Sequence, residues 1–269
     1  MDDRQIAKHG GDDEAAWRKI LIEGGHRELR FARRIFPLLP AAPRCKFCNS
    51  PFAGIGGRIC GAIGMTPSRK NPQLCALCCE KMPPGGAEVA IAVLFADIRG
   101  STALAEQLAP TPFAAILNRF YATATDVLVR HQATLDKLIG DEVMAFFVPG
   151  FAGPAFTRSS VEAGEALLRA IGYGTEAGPW ISVGIGIDAG TAFVGNVGGS
   201  QFIDFTALGD PVNTAARLRS AARPGEILVG EAVFAVVAED HPHCEPRPLE
   251  VKGKERPISA YSIPLHGMA

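Results

Sequence analysis

Two aspartates stand at the ends of predicted strands, where their carboxylates could share a cation. Asp97 ends an apolar run over residues 87–98 that is typical of a buried central strand. Asp141 lies in a Gly-Asp turn between two further predicted strands, 133–140 and 142–148. Neighbouring carboxylates repel each other unless a cation lies between them, and hard divalent ions such as Mg²⁺ or Mn²⁺ take oxygen ligands and bring phosphates with them. Position alone also allows a second interpretation, in which each aspartate only serves its own turn.

Cysteines form the second group of residues that could bind a metal ion or react. Six of the seven cysteines crowd one short stretch, and four of them make two C-x-x-C pairs, Cys45 with Cys48 and Cys75 with Cys78. Four thiolates in such pairs suit tetrahedral Zn²⁺, although the 26 residues between the pairs exceed the commonest spacing. Structural zinc is therefore predicted. An iron–sulfur or redox-sensing role and reduced, unligated thiols are the alternatives, because two spare thiols lie nearby.

Composition divides the chain into three parts that would position these residues. Residues 1–38 carry apolar side chains at helical spacing and predict two short helices broken at Gly24-Gly25. Residues 39–85 are rich in Gly, Pro and Cys with little periodicity, which predicts a loop-dominated module held together by metal. Residues 87–265 alternate predicted strands with predicted helices.

The third part predicts the element order β-α-β-β-α-β. One helix should begin at Thr111-Pro112, a second should run from Ser159 to Gly172, and the fourth strand should cover 180–190. This order is the ferredoxin-like split βαβ unit, an α+β fold with an antiparallel sheet and helices on one face. In that unit the first strand lies beside the central hairpin, so both aspartates should reach one edge.

Overall composition excludes several classes of protein. With 269 residues, 47% hydrophobic and 20% charged, the chain can bury a core and is not disordered throughout. Its 27 Lys+Arg balance 28 Asp+Glu, which disfavours a nucleic-acid binder that depends on a positive field. No apolar run approaches the roughly 18–20 residues of a bilayer span, and the N-terminus lacks a signal peptide's apolar region. We expect a cytoplasmic protein without a membrane partner.

Four motifs in order along the chain carry a family resemblance. They are FADIRGSTALAE (95–106), LDKLIGDEVMAFF (135–147), VGIGIDAGTAFVGNVGG (183–199) and FTALGDPVNTAARL (205–218). Together with VKGKERPISAYSI (251–263), they resemble the catalytic domain of class III adenylate and guanylate cyclases over about residues 88–263. The resemblance implies the cyclase fold and the conversion of a nucleoside triphosphate to a 3′,5′-cyclic nucleotide and pyrophosphate.

The resemblance also implies roles for individual residues. Asp97, Asp141 and the Ile98 carbonyl match the ligands of two Mg²⁺ or Mn²⁺ ions. Asn213 and Arg217 match the pair that orients the ribose and stabilises the transition state, and their spacing of four places both on one helix face. The implied contacts to the triphosphate are residues 98–102 (Ile98, Arg99, Gly100, Ser101, Thr102) and one of Lys252 and Lys254, of which Lys252 is preferred. The implied contacts to the purine are Lys137 and Thr206.

The implied reaction is in-line attack of the ribose 3′-oxygen on the α-phosphorus. One metal ion lowers the pKa of the 3′-hydroxyl, and the other neutralises charge on the leaving pyrophosphate. Lys137 can only donate, which fits the acceptor N1 of adenine, so ATP is expected as substrate. Because the acidic set and the Asn213–Arg217 set occur in one chain, a head-to-tail homodimer would build two complete sites.

Three other functions are weighed against an adenylate cyclase. A guanylate cyclase would need a carboxylate in place of Lys137 to accept from the guanine N1–H and 2-amino group. An inactive, cyclase-like dimerising sensor is disfavoured because the implied catalytic residues are all present. A zinc-ribbon nucleic-acid binder is disfavoured by the neutral charge of the chain.

Overall fold

The computed structural model describes residues 3–39, 43–68, 72–198, 203–242, 244–249 and 257–265. The elements in chain order are α1 (Asp3–Glu23), α2 (Arg27–Ile35), a 3-10 turn (Phe36–Leu38), α3 (Gly54–Ala62), α4 (Ala76–Lys81), β1 (Gly86–Ile98), α5 (Ser101–Gln107), α6 (Pro110–Arg130), β2 (Thr134–Ile139), β3 (Glu142–Phe147), α7 (Pro149–Ala152), α8 (Phe156–Ile171), β4 (Val183–Gly198), β5 (Ile203–Leu208), α9 (Asp210–Ala221), β6 (Ile227–Gly230), α10 (Glu231–Val237), β7 (Pro246–Leu249) and β8 (Ile258–Ile263).

Two compact units make up the fold. The first gathers Met1–Ala90, Val148–Pro154 and Thr191–Gly209, and the second gathers Ile91–Phe147, Ala155–Gly190 and Asp210–Ala269. Over the described residues, every helix is too short or too polar to cross a lipid bilayer.

Eight strands of the described residues form one sheet. Its strand order is β2-β3-β1-β4-β6-β8-β7, with β5 paired to β4 beside this path. Strand β1 therefore lies between the β2–β3 hairpin and β4, which confirms the split βαβ order. Residues 92–96 of β1 are almost completely buried, as expected of a central strand covered on both faces. The pairing is antiparallel from β2 to β1, whereas β4 and β6 run parallel, so the sheet is mixed rather than purely antiparallel.

Helix α9 can approach the sheet because β4 carries a glycine at the contact. A Cβ atom added to Gly186 would lie 2.0 Å from the Arg219 amide nitrogen and 2.4 Å from the Ala215 carbonyl oxygen. Only a residue without a side chain permits this approach. On the same sheet-facing side of α9, Leu218 and Ala222 pack with Leu228 of β6 in a buried cluster. The close backbone contact at Gly186 and this buried cluster together set the distance between α9 and the sheet.

In the first unit, the N-terminal helices pack beside the cysteine-rich segment and the β4–β5 hairpin. Helices α1 and α2 are separated by Gly24 and Gly25, both with positive φ, which confirms the predicted break. Trp17 is fully buried and its Nε1 donates to the Pro84 carbonyl at 3.0 Å. The ring of Trp17 stacks on Phe205 of β5, with ring centroids 5.6 Å apart. The hairpin is thus part of the same packed body as α1.

Several predicted elements are confirmed and several boundaries are wrong. The first strand, the β2–β3 hairpin and the Gly172 cap of α8 occur as predicted. Helix α6 begins at Pro110 and not at Thr111-Pro112, because both prolines fit a first turn whose amides have no intrahelical acceptor. The other corrections are that α8 begins at Phe156 and not at Ser159, that β4 runs from Val183 to Gly198 and not over 180–190, and that residues 39–85 contain two short helices, α3 and α4.

Candidate active site

Asp97 lies at the end of β1, opposite Glu142 of β3 in the antiparallel register. Its side chain is only 7% exposed. The neighbouring turn is formed by Gly140, whose φ is +62°, and Asp141. The Ile98 amide donates to the Asp141 carbonyl at 3.2 Å, so the end of β1 and the hairpin turn are directly bonded. The two predicted metal-binding aspartates therefore belong to adjoining segments at one edge of the sheet.

The side chain of Tyr121, on α6, contacts the turn that Gly140 and Asp141 form. Its hydroxyl donates a short hydrogen bond to the Gly140 carbonyl. Burial, and secondarily the negative charge of Asp141, raise the pKa of the Tyr121 phenol. The hydroxyl therefore stays protonated and able to donate at neutral pH.

Two guanidinium groups of the same chain neutralise Asp97. Arg219 Nη1 lies 2.6 Å from Asp97 Oδ2, and Arg99 makes a closer ion pair with the other carboxylate oxygen. Arg219 also pairs with Glu142. Burial and the neighbouring Arg219 lower the pKa of Arg99, while burial raises the pKa of Glu142 against the opposing charge of Arg219. In this site, the carboxylates of Asp97 and Glu142 therefore alternate with the guanidinium groups of Arg99 and Arg219.

The donor set at this edge fits a hard divalent cation. The Asp97 and Asp141 carboxylates and the Ile98 carbonyl are all oxygen ligands of the kind that Mg²⁺ and Mn²⁺ prefer. The guanidinium groups on Asp97 show that this position favours positive charge. Metal binding at Asp97 would have to weaken or replace these ion pairs, because a guanidinium on each carboxylate oxygen repels a further cation.

The segment that follows Asp97 has already used part of its hydrogen-bonding capacity. The Ile98 amide is bonded to Asp141, and the Arg99 amide donates to the Ser182 carbonyl at 2.8 Å. The Arg99 side chain also donates to the Arg219 and Ala222 carbonyls. The amides of residues 98 and 99 are therefore already bonded to other groups in this structure, and the implied contact of residues 98–102 with the triphosphate stays a prediction. Gly100, with φ of +73°, Ser101 and Thr102 follow at the start of α5.

Helix α9 presents its predicted catalytic pair away from Asp97. Asn213 is exposed and Arg217 is half-buried, whereas Thr214 and Leu218 are buried against the unit's core. Arg219, which contacts Asp97, follows Arg217 by two residues and thus lies about 200° around the helix axis from it. Asn213 and Arg217 therefore share a face of α9 that is turned away from the acidic site of their own chain.

The predicted purine contacts lie on strands. Lys137 of β2 is half-buried, and its Nζ lies 3.0 Å from Oδ1 of Asp136, whose side chain has no exposed surface. The register of β2 against β3 shifts between Leu135 and Lys137, which places this pair at a bulge. Thr206 lies on β5 in the first unit and is 4% exposed. Lys252 and Lys254 lie outside the described residues.

The four predicted metal cysteines come together. The sulfur atoms of Cys45, Cys48, Cys75 and Cys78 all lie within 4.8 Å of one another. The Cys48 and Cys75 sulfurs are 3.8 Å apart, which matches the sulfur–sulfur distance of about 3.8 Å in a tetrahedral site with Zn–S bonds of about 2.3 Å. An iron–sulfur cluster spreads its cysteines over several iron atoms, so this compact arrangement favours a single ion.

Arg33 supplies the positive charge beside these sulfurs. It is 2% exposed, its Nη1 donates to the Phe47 carbonyl at 2.6 Å, and its guanidinium lies 4.0 Å from the centre of the Phe151 ring. Burial lowers the pKa of Arg33 to about 10, while thiolates at Cys48, Cys45 and Cys78 act in the opposite direction. The guanidinium therefore stays charged at neutral pH and compensates the negative charge of a tetrathiolate site.

Sequence reasoning missed four residues that shape these sites: Arg33, Tyr121, Asp136 and Arg219. Asp136 adjoins Lys137 within a predicted strand, and a carboxylate next to an implied ligand-binding lysine was a signal that could have been used. The other three act across long sequence separations, so no local pattern marks them.

Comparisons with known proteins show which family the larger part of the chain belongs to. Residues 87–264 match the family described as the adenylate and guanylate cyclase catalytic domain. An adenylate cyclase of Anabaena cylindrica is 33% identical over 181 residues, and an uncharacterised protein of Mycobacterium tuberculosis is 32% identical over 183 residues. These alignments cover 64% and 66% of this chain but only 36% and 33% of the relatives, so the chain spans about a third of their length.

Solved structures give the same result for the fold. An adenylyl cyclase from P. aeruginosa superposes with a TM-score of 0.57 at 29% identity, covering 66% of this chain and 94% of the other. A guanylyl cyclase superposes with a TM-score of 0.59 at 27% identity, covering 66% and 93%. Through residues 87–264, the chain belongs to the family of adenylate and guanylate cyclase catalytic domains.

Proposed function

We propose that this protein is an adenylate cyclase that converts ATP to 3′,5′-cyclic AMP and pyrophosphate. The observation that carries the proposal is the hydrogen bond between the Ile98 amide and the Asp141 carbonyl, which joins the two acidic segments at one sheet edge. Asp97, Asp141 and the Ile98 carbonyl would hold two Mg²⁺ or Mn²⁺ ions. When bound, such ions acidify the ribose 3′-hydroxyl and neutralise charge on the leaving pyrophosphate.

The chain's own residues would orient the nucleotide and stabilise the transition state. Arg217 would donate to the α-phosphate oxygens as negative charge develops on them in the transition state. This lowers the activation barrier only if the guanidinium is held in position before the reaction. Asn213 would hold the ribose so that its 3′-oxygen stays in line with the α-phosphorus. Gly100, Ser101 and Thr102 would offer their amides to the triphosphate, and Lys252 is retained as a proposed contact.

A head-to-tail homodimer would complete each site. The geometry of α9 supports this proposal, because Arg219 points to its own Asp97 while Asn213 and Arg217 lie on another face of the helix. The two sets of residues are therefore unsuited to meet on one chain and would meet between two copies. A symmetric pair of chains then contains two equivalent sites.

ATP is the proposed substrate because the base site offers a donor. The Lys137 ammonium can only donate, which matches adenine N1 and opposes the N1–H of guanine. The nearby carboxylate of Asp136 is fully buried and already paired with Lys137, so it is a poor acceptor for guanine. Guanylate cyclase activity is the second candidate, because Thr206 can donate to the guanine O6 as well as accept from the adenine amine.

The N-terminal part is proposed to be a zinc-stabilised regulatory extension. Cys45, Cys48, Cys75 and Cys78 would bind one Zn²⁺, with Arg33 as the charge complement. We propose that the chain has three parts, residues 1–38, 39–85 and 87–265. The proposed location is the cytoplasm, and no nucleic-acid partner is proposed.

Identification of the product tests the proposed function directly. Purified protein incubated with Mn²⁺ and ATP should form cyclic AMP and pyrophosphate in equal amounts, and GTP should be a poorer substrate. The Asp97→Asn variant should form neither product, which excludes a contaminating enzyme. Cyclic GMP as the main product would favour the second candidate, and no cyclic nucleotide from either substrate would contradict both.

Replacement of Arg219 by glutamine should strengthen metal binding. Arg219 neutralises Asp97 at 2.6 Å, so a bound Mn²⁺ must compete with its charge. We expect R219Q to bind Mn²⁺ about tenfold more tightly than the wild type, as measured by the electron paramagnetic resonance signal of free Mn²⁺. The matched control is R130Q, which removes the same charge from an exposed ion pair with Asp126 on α6 and should leave Mn²⁺ affinity unchanged. Weaker or equal binding by R219Q would contradict the competition.

A further inference from the structure

The first C-x-x-C pair encloses two residues that both contact strand β5. Lys46 and Phe47 lie between Cys45 and Cys48, and we call these four residues the first knuckle. Lys46 Nζ lies 3.2 Å from Oδ1 of Asp204, with side chains only 8% and 16% exposed. The loop between Cys45 and Cys48, two of the proposed metal ligands, therefore reaches a strand more than 150 positions further along the chain.

Phe205, the next residue of β5, is enclosed by aromatic rings. Phe47 meets it edge to face, with centroids 5.6 Å apart and planes at 80°. Trp17 stacks on Phe205 with an interplanar angle of 10°, and Phe205 has no exposed surface. Aromatic pairs of this kind stabilise beyond the area that they bury, and their geometry is specific. Phe205 is thus held between α1 and the first knuckle.

The knuckle has little freedom to move while its cysteines share one centre. The Cys45 amide donates to the Ser50 carbonyl and the Asn49 amide donates to the Cys45 carbonyl, both at 2.9 Å. The Lys46 amide donates to the Gln73 carbonyl at 2.9 Å, which ties the first pair to the segment before the second pair. An ion bound by all four sulfurs would lock this arrangement, because each C-x-x-C pair is then fixed at both ends.

Asp204 and Phe205 directly precede Thr206, the residue that is proposed to contact the purine. The three residues pair in register with β4, with Thr206 opposite Gly195 and Phe205 opposite Asn196. Asn196 is itself bonded to the residue that precedes β1, since its amide donates to the Gly85 carbonyl at 2.7 Å. A displacement of the first knuckle would therefore act on the β4–β5 hairpin at the position next to Thr206.

We propose that Lys46 and Phe47 are positioning residues for strand β5, and that the metal ion held by the flanking cysteines fixes them. The ion thereby sets the placement of Thr206 and couples the N-terminal module to recognition of the base. The coupling to the base rests on the proposed function, whereas the mechanical link from the ion to β5 does not. Loss of the ion should loosen β5 even when no nucleotide is present.

Tryptophan fluorescence measures the mechanical link. The chain has two tryptophans, so W180F leaves Trp17, stacked on Phe205, as the sole reporter. Purified W180F protein should contain one zinc per chain, and a zinc chelator should shift Trp17 emission to longer wavelength and increase quenching by acrylamide. C45S in this background should reproduce the shift without chelator. The matched control C79S, which replaces a thiol outside the cluster, should keep both the zinc and the original emission.

Kinetics with a modified base measure the functional link. Purine riboside 5′-triphosphate lacks the 6-amino group that Thr206 is proposed to contact. We expect K46A to lower kcat/KM for ATP about tenfold and to leave purine riboside triphosphate nearly unchanged. K46R should restore most of the preference for ATP. Adding K46A to T206A should cause no further loss of ATP preference, because both substitutions remove the same contact.

These outcomes separate the inference from the proposed function. Equal losses of both substrates in K46A would indicate general destabilisation and overturn the positioning role. An emission spectrum of Trp17 that does not change when zinc is removed would overturn the mechanical link. If the wild type forms no cyclic nucleotide, the proposed function fails, and the fluorescence experiment still decides whether the ion fixes β5.

Discussion

Mixing two inactive variants, Asp97→Asn and Asn213→Ala, should restore about a quarter of wild-type cyclase activity. With random exchange at equal amounts, about half of the dimers are mixed, and each mixed dimer has one site with both sets intact. Each variant alone should have less than about 1% of wild-type activity, because one removes a charged ligand and the other removes ribose alignment. Asparagine is preferred at position 97, since Asp97 is buried between two guanidinium groups.

A matched control uses two variants from the same set. D97N mixed with D141N should recover no activity, because every site takes both aspartates from one chain. Size-exclusion chromatography and far-ultraviolet circular dichroism should show that all variants fold and dimerise. No recovery in the first mixture, with exchange of chains confirmed, would argue that each site is built from one chain.

Lys137→Glu should lower kcat/KM for ATP by about 100-fold, or roughly 2.7 kcal/mol. The substitution replaces the donor for adenine N1 with an acceptor, which also lies beside the buried carboxylate of Asp136. The acceptor can instead receive the N1–H and 2-amino group of guanine, so the ratio of GTP to ATP turnover should rise. Product analysis with both nucleotides measures the two effects in one experiment.

Lys137→Met is the control for loss of the ammonium without a new acceptor. It should weaken ATP turnover less than K137E and should give no gain with GTP. Unchanged cyclic AMP formation by K137E would contradict the assignment of Lys137 to the base. A wild-type preference for GTP would also contradict this assignment and would indicate that Thr206 is the main contact to the base.

Local patterns predicted much of the fold because they depend on neighbouring residues. The break at Gly24-Gly25, the apolar run of β1 and the Gly-Asp turn before Glu142 each follow from backbone freedom or side-chain period over a few positions. The C-x-x-C spacing likewise indicated a four-sulfur centre, and the four sulfurs lie together. Helix starts were less certain, since several residues near Pro110 and Ser159 can each cap a first turn.

The charges around Asp97 could be found only in the tertiary structure. Arg219 lies 122 positions from Asp97 in the chain, and the contact exists because Gly186 lets α9 come close to the sheet. The same applies to Arg33 beside the cysteines and to Lys46 beside Asp204. The amino-acid sequence by itself determined which chemical groups the protein has and the local elements that carry them. The choice of which groups meet was decided by packing, because an ion pair or ring contact depends on distances in space that sequence separation does not encode.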